Sequence, residues 1–450
     1  MVLLASSASL PLHAQVTADS IPAQYRDVAT RIIQAATADS SAYDRLARLV
    51  DGFGHRLSGS ESLERALDWI LAAMRRDGLD SAWTEPVMVP HWVRGEESAE
   101  LISPRRARLP MLGLGLSAGT SRKGVTAPVL VVSSFDELKE RAAEVKGKIV
   151  LYDVPFTNYG ATVRYRGVGA LMAEQYGAVE VLVQTATPYS IRSPHTGSMR
   201  SDSLAKIPAA AITVEDAMML HRMQNRDEAI VVHLTMGARL LPDAPSRNVM
   251  GQLTGRESPE EVIVLGGHID SWDVGQGAMD DGGGMVAAWE AVHLLQRLGL
   301  RPRRSIRAVG WTNEENGLRG GRAYRDSRTA EQMAQHVLAM ESDGGAFRPA
   351  GFSFNGSDAA FEIIRQASHL LEPLEADSIS RGGGEADIGP LMERGVPGMG
   401  LLTQAERYFW FHHTDGDTID KLDPADFARC VAVFAVMAYV VADLPEPLPR

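Results

Sequence analysis

An α/β fold, with a mixed, mostly parallel sheet and helices on both faces, is predicted by three observations. From Glu261 to Ala442, β-rich runs alternate with long helical segments, the pattern of parallel crossovers. A second cluster of short apolar runs, between Val125 and Met236, forms a compact unit of its own. The composition, 45% hydrophobic and 23% charged over 450 residues, allows a large core and more than one domain.

Taken in order, Ile21 to Leu79 is helical in spacing, most clearly in Leu63 to Met74, and is punctuated by Gly52, Gly54 and Gly59. Extended segments follow, including Thr84 to Val93, and then the loop-like run Gly113 to Gly124. Val125 to Val132 and Lys148 to Asp153 are β-rich, with a charged helical candidate, Phe135 to Glu144, between them. A second helical candidate, Gly167 to Gly177, leads into the strand candidate Val179 to Gln184, and the unit ends near Val231 to Met236. Pro242, Pro245 and Ser246 mark the next boundary. The expected division is residues 1–20 as a leader-like stretch, then 21–118, 119–240 and 241–450, the middle one a unit of its own.

Beyond that boundary the strands are Glu261 to Leu265, Ser305 to Thr312, His336 to Met340 and Val396 to Leu402. The helices are Gly283 to Leu300, Gly320 to Asp326, Ala359 to Leu371 and Pro424 to Ala442. In such sheets the loops at the carboxyl ends of the strands form the ligand crevice.

Lys and Arg number 45 against 57 Asp and Glu, a net charge of −12 that argues against nucleic acid or an anionic membrane as the main partner. The single cysteine, Cys430, lies in an apolar stretch and reads as a small buried side chain. Met1 to Gln15 resembles the tail of an export signal with cleavage after Ala14, which points to a periplasmic or secreted protein. No uninterrupted apolar run reaches about 20 residues, so no membrane span is expected.

The chemistry is concentrated in Gly266 to Gly284, GGHIDSWDVGQGAMDDGGG, directly after an apolar strand. A lone His268 would ordinarily be a hydrogen-bonded loop histidine, but Asp270, Asp280 and Asp281 stand beside it. Glycines at 275, 277, 282, 283 and 284 let the backbone fold tightly around an ion. His268 and Asp270 are two apart in extended chain, so the Asp270 carboxylate is expected to accept the second imidazole N–H. Adjacent carboxylates repel unless cations separate their roles, which makes Asp280 a candidate bridging ligand and Asp281 a weaker one.

Glu314 and Glu315 end the strand Ser305 to Thr312: one suits a ligand and the other a general base and acid. Asp343 follows His336 to Glu341, where a turn-forming aspartate is the ordinary alternative. His413 follows the aromatic run Tyr408 to Phe411, with His412 as its competitor. Two histidines and several carboxylates, without a thiolate, suit a pair of zinc ions held for hydrolysis. Gly115-Leu-Ser-Ala-Gly119 matches a serine-hydrolase elbow, but no helix follows Ser117, and Gly167-Val-Gly169 lacks the third glycine of a dinucleotide loop.

These motifs, with WTNEENG, MESDGG and YFWFHHTDGDT, resemble the family M28 metallopeptidases over most of the chain. The resemblance implies that His268 and Asp343 hold one zinc and Glu315 and His413 the other, with Asp280 bridging and joined to Asp281 by a cis peptide. It also implies Glu314 as general base and acid, Asp270 as the partner of His268, and a protease-associated domain over about Gly119 to Met236. The subgroup most resembled hydrolyses unblocked dipeptides and acts as dimers, so the expected function is a dizinc exopeptidase of carboxypeptidase or dipeptidase type on short peptides. The alternatives are an aminopeptidase acting on longer peptides and a binding protein that keeps the fold without catalysis. The sequence departs from the family around the glutamates, at Asn313 and Asn316, and at Gly383 to Ala386, positions that bear on substrate preference.

Overall fold

The computed structural model describes residues 20–200, 204–383 and 386–450. The export-signal stretch Met1 to Gln15 lies outside them, as do positions 384 and 385 of the late glycine-rich loop. The chain opens with helices Ser20–Thr37, Ser41–Phe53 and Glu61–Arg76. The third shows how the local code works. Ser60 accepts the Leu63 N–H, Glu61 and Glu64 occupy the first turn, and Arg75 and Arg76 the last. Leu63, Ala66, Leu67, Ile70 and Met74 recur at three- and four-residue spacing and are the buried face.

The strands, in chain order, are β1 Ser81–Val93, β2 Glu97–Ser103, β3 Ala107–Leu109, β4 Met111–Gly113, β5 Val125–Val132, β6 Ile149–Tyr152, β7 Glu180–Gln184 and β8 Ala209–Ile212. They continue as β9 Val231–Met236, β10 Arg239–Leu253, β11 Ser258–His268, β12 Arg304–Trp311, β13 His336–Glu341, β14 Pro349–Asn355, β15 Ser378–Arg381 and β16 Gly398–Thr403.

One eight-stranded sheet has the order β1-β10-β12-β11-β13-β16-β14-β15. Its centre, β12-β11-β13-β16, is parallel, and the β1-β10, β10-β12 and β14-β16 pairs are antiparallel, so the sheet is mixed with a parallel core. Residues along β11 alternate between two apolar layers. Ile263 and Leu265 face the cluster built on helices Gly283–Arg297 and Pro424–Asp443, while Val262 and Val264 face Trp311, Tyr324 and Leu391 on the other side. The expected helix-covered sheet is therefore present, whereas β14 and β15 were not foreseen. Helix Pro424–Asp443 is long and apolar enough to cross a membrane by length and composition, but 83% of its most apolar 18-residue window is buried inside the protein, as in a core helix.

The second eight-stranded sheet has the order β3-β2-β9-β5-β6-β7-β8-β4, parallel from β5 to β8. Helices Tyr159–Glu174 and Val214–Gln224 belong to it; the first overlaps the helical candidate Gly167 to Gly177, and the second was not foreseen. Its strands run from Glu97 to Met236, so β2, β3 and β4 join it from before the expected division at 118. The division at 240 falls inside β10. There Pro242 and Pro245 do not stop the strand, because residues 239–248 pair with β1 on one side only and the missing N–H groups cost no ladder bond on the other.

Candidate metal centre

The carboxyl ends of the parallel strands gather the acids and imidazoles. His268 closes β11; Glu314 and Glu315 follow β12; Asp343 follows β13; His413 follows β16 and the short helix Tyr408–Phe411. Asp280 and Asp281, joined by a cis peptide bond, sit between β11 and helix Gly283–Arg297. Gly267 and Gly284 clasp Asp281: a Cβ on Gly267 would lie 2.2 Å from Asp281 Oδ2, and one on Gly284 would lie 2.2 Å from the Ser342 carbonyl. Asp281 spends its oxygens on the N–H groups of His268 and Gly284, at 3.1 and 3.0 Å, and so braces the loop.

Asp280 reaches both imidazoles. Its Oδ1 is 3.0 Å from His268 Nε2, and its Oδ2 is 3.0 Å from His413 Nε2. Asp343 Oδ1 lies 3.4 Å from His268 Nε2, and Glu315 Oε2 lies 3.1 Å from His413 Nε2. All five expected ligands are thus brought together in two overlapping groups that share Asp280. His412 stacks on His413 at 3.5 Å between ring centroids and approaches Asp280 Oδ2 at 3.3 Å, but of the two only His413 also faces Glu315.

Each imidazole is held by a backbone carbonyl behind it. His268 Nδ1 lies 2.8 Å from the Asp270 carbonyl, and His413 Nδ1 lies 3.3 Å from the Thr196 carbonyl. A carbonyl oxygen only accepts, so His268 Nδ1 carries hydrogen; His413 Nδ1 also lies 3.4 Å from the Arg166 guanidinium, which only donates, and both Nε2 atoms point at the carboxylates. The expected contact from the Asp270 carboxylate to His268 is corrected accordingly. That carboxylate, 3.9 Å from Nδ1 at its nearer oxygen, instead accepts the Glu314 and Glu315 N–H groups at 3.1 and 3.3 Å and the Ser58 hydroxyl at 3.1 Å.

Sequence reasoning missed three supports. Asp417 accepts the N–H groups of Ala278, Met279 and Asp280 at 3.0, 2.8 and 3.3 Å, and its place in the HHTDGDT motif was the available signal. Arg56, fully buried, ties the carbonyls of Ile269, Gln276 and Gly277. Thr196, from the second sheet's segment, gave no signal at all.

The electrostatics fit a cation site. Burial works against a charged His413, yet the Glu315 charge and the bond to Asp280 outweigh it and lift its pKa to about 9. His268 is likewise raised, by Asp280 and Asp343, against the effect of burial. Burial pushes Asp280 upward, but the two imidazoles hold it well below the usual carboxylate range. Burial lifts Glu315 to about 7 and, with the Asp343 charge, raises Glu314 well above its ordinary value. Glu315 Oε1 is buried without a hydrogen-bond partner, which is costly unless a cation takes it. Two imidazoles and three carboxylates, with no thiolate, are a donor set suited to zinc.

The rival motifs lead elsewhere. Ser117 donates to the Ala118 carbonyl and accepts the Ala209 N–H, with no helix after it. Gly167 and Gly169 lie inside helix Tyr159–Glu174. The Cys430 thiol is buried and donates to the Phe347 carbonyl.

Comparison with known proteins agrees with this geometry. Residues 248–438 match the model of Peptidase family M28. Carboxypeptidase Q of Xenopus laevis is 48% identical over 430 residues, covering 95% of this chain and 92% of its own. Carboxypeptidase Q of Homo sapiens is 47% identical, covering 94% of this chain and 90% of its own. A peptidase M28 precursor from Shewanella amazonensis superposes with a TM-score of 0.91 at 33% identity, over 95% of this chain and 99% of that one. A zinc aminopeptidase from Bacillus subtilis shares the fold, with a TM-score of 0.69 at 22% identity over 91% of this chain and 98% of that one.

Proposed function

The chain belongs to peptidase family M28 and is a metallopeptidase, and from that premise we propose that it is a dizinc exopeptidase hydrolysing short unblocked peptides, dipeptides in particular. The observation that carries the reading is the position of Asp280, one oxygen facing the Nε2 of each of the two imidazoles. His268 and Asp343 would hold one zinc, Glu315 and His413 the other, and Asp280 would bridge. Zinc, when bound, supplies a Lewis acid that lowers the pKa of water and polarises a peptide carbonyl.

The chain's own residues do the rest. Glu314, with its proton affinity raised by burial and by Asp343, takes the proton of the attacking water and delivers it to the leaving amine. Asp270 fixes the backbone that carries Glu314 by accepting its N–H, so the general base is anchored to the strand end rather than free in a loop. The carboxypeptidase name of the near relatives supports action on a free C-terminus. On the resemblance alone, the enzyme is also proposed to be exported, to carry the second sheet as a protease-associated domain, and to work as a homodimer.

The test is hydrolysis of free dipeptides, longer peptides, and N- or C-blocked versions by zinc-loaded protein, with chelation as control. Turnover confined to short unblocked peptides and abolished by chelation is the expected result. Preference for long peptides would instead favour an aminopeptidase, and absence of turnover with zinc bound would favour a binding protein.

A further inference from the structure

A groove of about 650 Å³ leaves the metal centre at Glu315 and runs between helix Tyr159–Glu174 and the stretch Asn316 to Arg322. Among the described residues its charged walls are Arg164, Arg200 and Arg322, and the one acid is Glu315, which already faces His413. Arg322 is exposed and makes no hydrogen bond or ion pair among the described residues; the Arg164 guanidinium lies over the Phe135 ring at 5.2 Å.

At the deep end stands Asn316, 2% exposed, whose amide orientation is dictated by a relay. The Arg319 N–H donates to Asn313 Oδ1 at 3.4 Å, so Asn313 presents Nδ2, which donates to Asn316 Oδ1 at 2.8 Å and to the Ser58 hydroxyl at 3.0 Å. Asn316 Nδ2 is left as a buried donor with no partner. A wall of cations around an unanswered donor calls for an acceptor with negative charge.

A second cavity, of about 240 Å³, opens at Asp343 and has the opposite character. Among the described residues its charged lining is Glu341 and Asp343, with no cation. It repels a carboxylate and accommodates an ammonium group. The two cavities flanking the metal centre thus carry opposite charge, acidic beside Asp343 and basic beside Arg322, and an unblocked short peptide carries opposite charges at its two ends.

We propose that the groove from Glu315 to Arg322 is a carboxylate subsite that takes the free C-terminus of the substrate, with Asn316 and Arg322 as specificity-determining residues. The proposal rests on the exopeptidase reading above and adds the end of the peptide that is recognised and the side chains that recognise it.

Binding without turnover tests it separately from catalysis. Zinc-loaded Glu314→Gln protein is titrated calorimetrically with alanyl-leucine and with its C-terminal amide. The free acid is expected to bind about 10- to 100-fold more tightly, the effect of a hydrogen bond to a charged group. Adding Arg322→Gln or Asn316→Ala should shrink that ratio toward one, and Arg322→Lys should retain more of it than Arg322→Gln. Arg322 is on the surface of helix Arg319–Asp326, so its replacements leave the core intact. Equal binding of acid and amide, or a ratio that survives both replacements, overturns the subsite. Discrimination in binding, without peptide hydrolysis by the unmodified enzyme, would uphold the subsite and overturn the exopeptidase reading.

Discussion

The Asp270 carbonyl oxygen lies 2.8 Å from His268 Nδ1, while the nearer oxygen of the Asp270 carboxylate stands 3.9 Å from the same nitrogen. One residue thus serves the metal ligand with its backbone and the strand end that carries Glu314 and Glu315 with its side chain. Replacing the carboxylate should therefore separate two effects. Asp270→Ala is expected to keep most zinc but lower kcat about 10- to 100-fold, as loss of a supporting contact at a metal site does. Zinc content and kcat measured on the same preparation check this. Equal loss of both would assign the carboxylate to His268 after all.

Glu314→Gln removes the proposed proton acceptor without touching a ligand. Turnover should fall about 10²- to 10⁴-fold with zinc retained, which single-turnover kinetics and metal analysis read together. Activity near that of the unmodified enzyme would remove Glu314 from the chemistry.

Asp280→Ala takes away the one carboxylate that meets both imidazoles. The chain should no longer hold a full zinc pair after dialysis, and peptide hydrolysis should drop with it. A variant that keeps both ions at high occupancy would refute the bridging role.

Asp417→Ala leaves the N–H groups of Ala278, Met279 and Asp280 without an acceptor in a buried loop. Each unsatisfied group costs about 1–3 kcal/mol. Thermal unfolding should therefore begin well below that of the unmodified protein, and zinc affinity should fall because Asp280 is no longer held. Unchanged melting would mean that another group satisfies the loop.

Glu180, the first residue of β7, is fully buried with neither oxygen partnered, and burial pushes its carboxyl up to about 9. The folded state keeps its proton while the unfolded chain ionises near its ordinary value. Stability is therefore undiminished below about 4.5 and falls as pH rises toward about 9, by about 1.4 kcal/mol per pH unit within that window. Glu180→Gln should flatten this dependence, so that its stability relative to the unmodified protein improves from pH 5 to pH 8 in denaturant titrations. Parallel pH profiles for the two proteins would show that Glu180 is solvated.

Much of the site was legible because its signals are local. Buried apolar strands place the polar residues at their ends in the crevice loops, as His268, Glu314, Glu315 and Asp343 show, and Asp280 was marked by the glycine-rich loop after β11. His413 was found by its aromatic neighbours. The roles of backbone atoms were not legible, since a sequence names side chains and says nothing of which carbonyl turns toward an imidazole. The correction at Asp270 is of that kind.

Local order in the chain settled the parallel core of the first sheet, its covering helices and the acids at its strand ends, because periodicity and turn residues act over a few positions. Folding alone decided that Thr196 meets His413 across 217 residues, that Arg56 ties the loop after β11, and that the second sheet starts at Glu97. Those contacts join distant segments through packing and hydrogen bonds that leave no pattern in either segment. They exist only once the two sheets have closed around the acids.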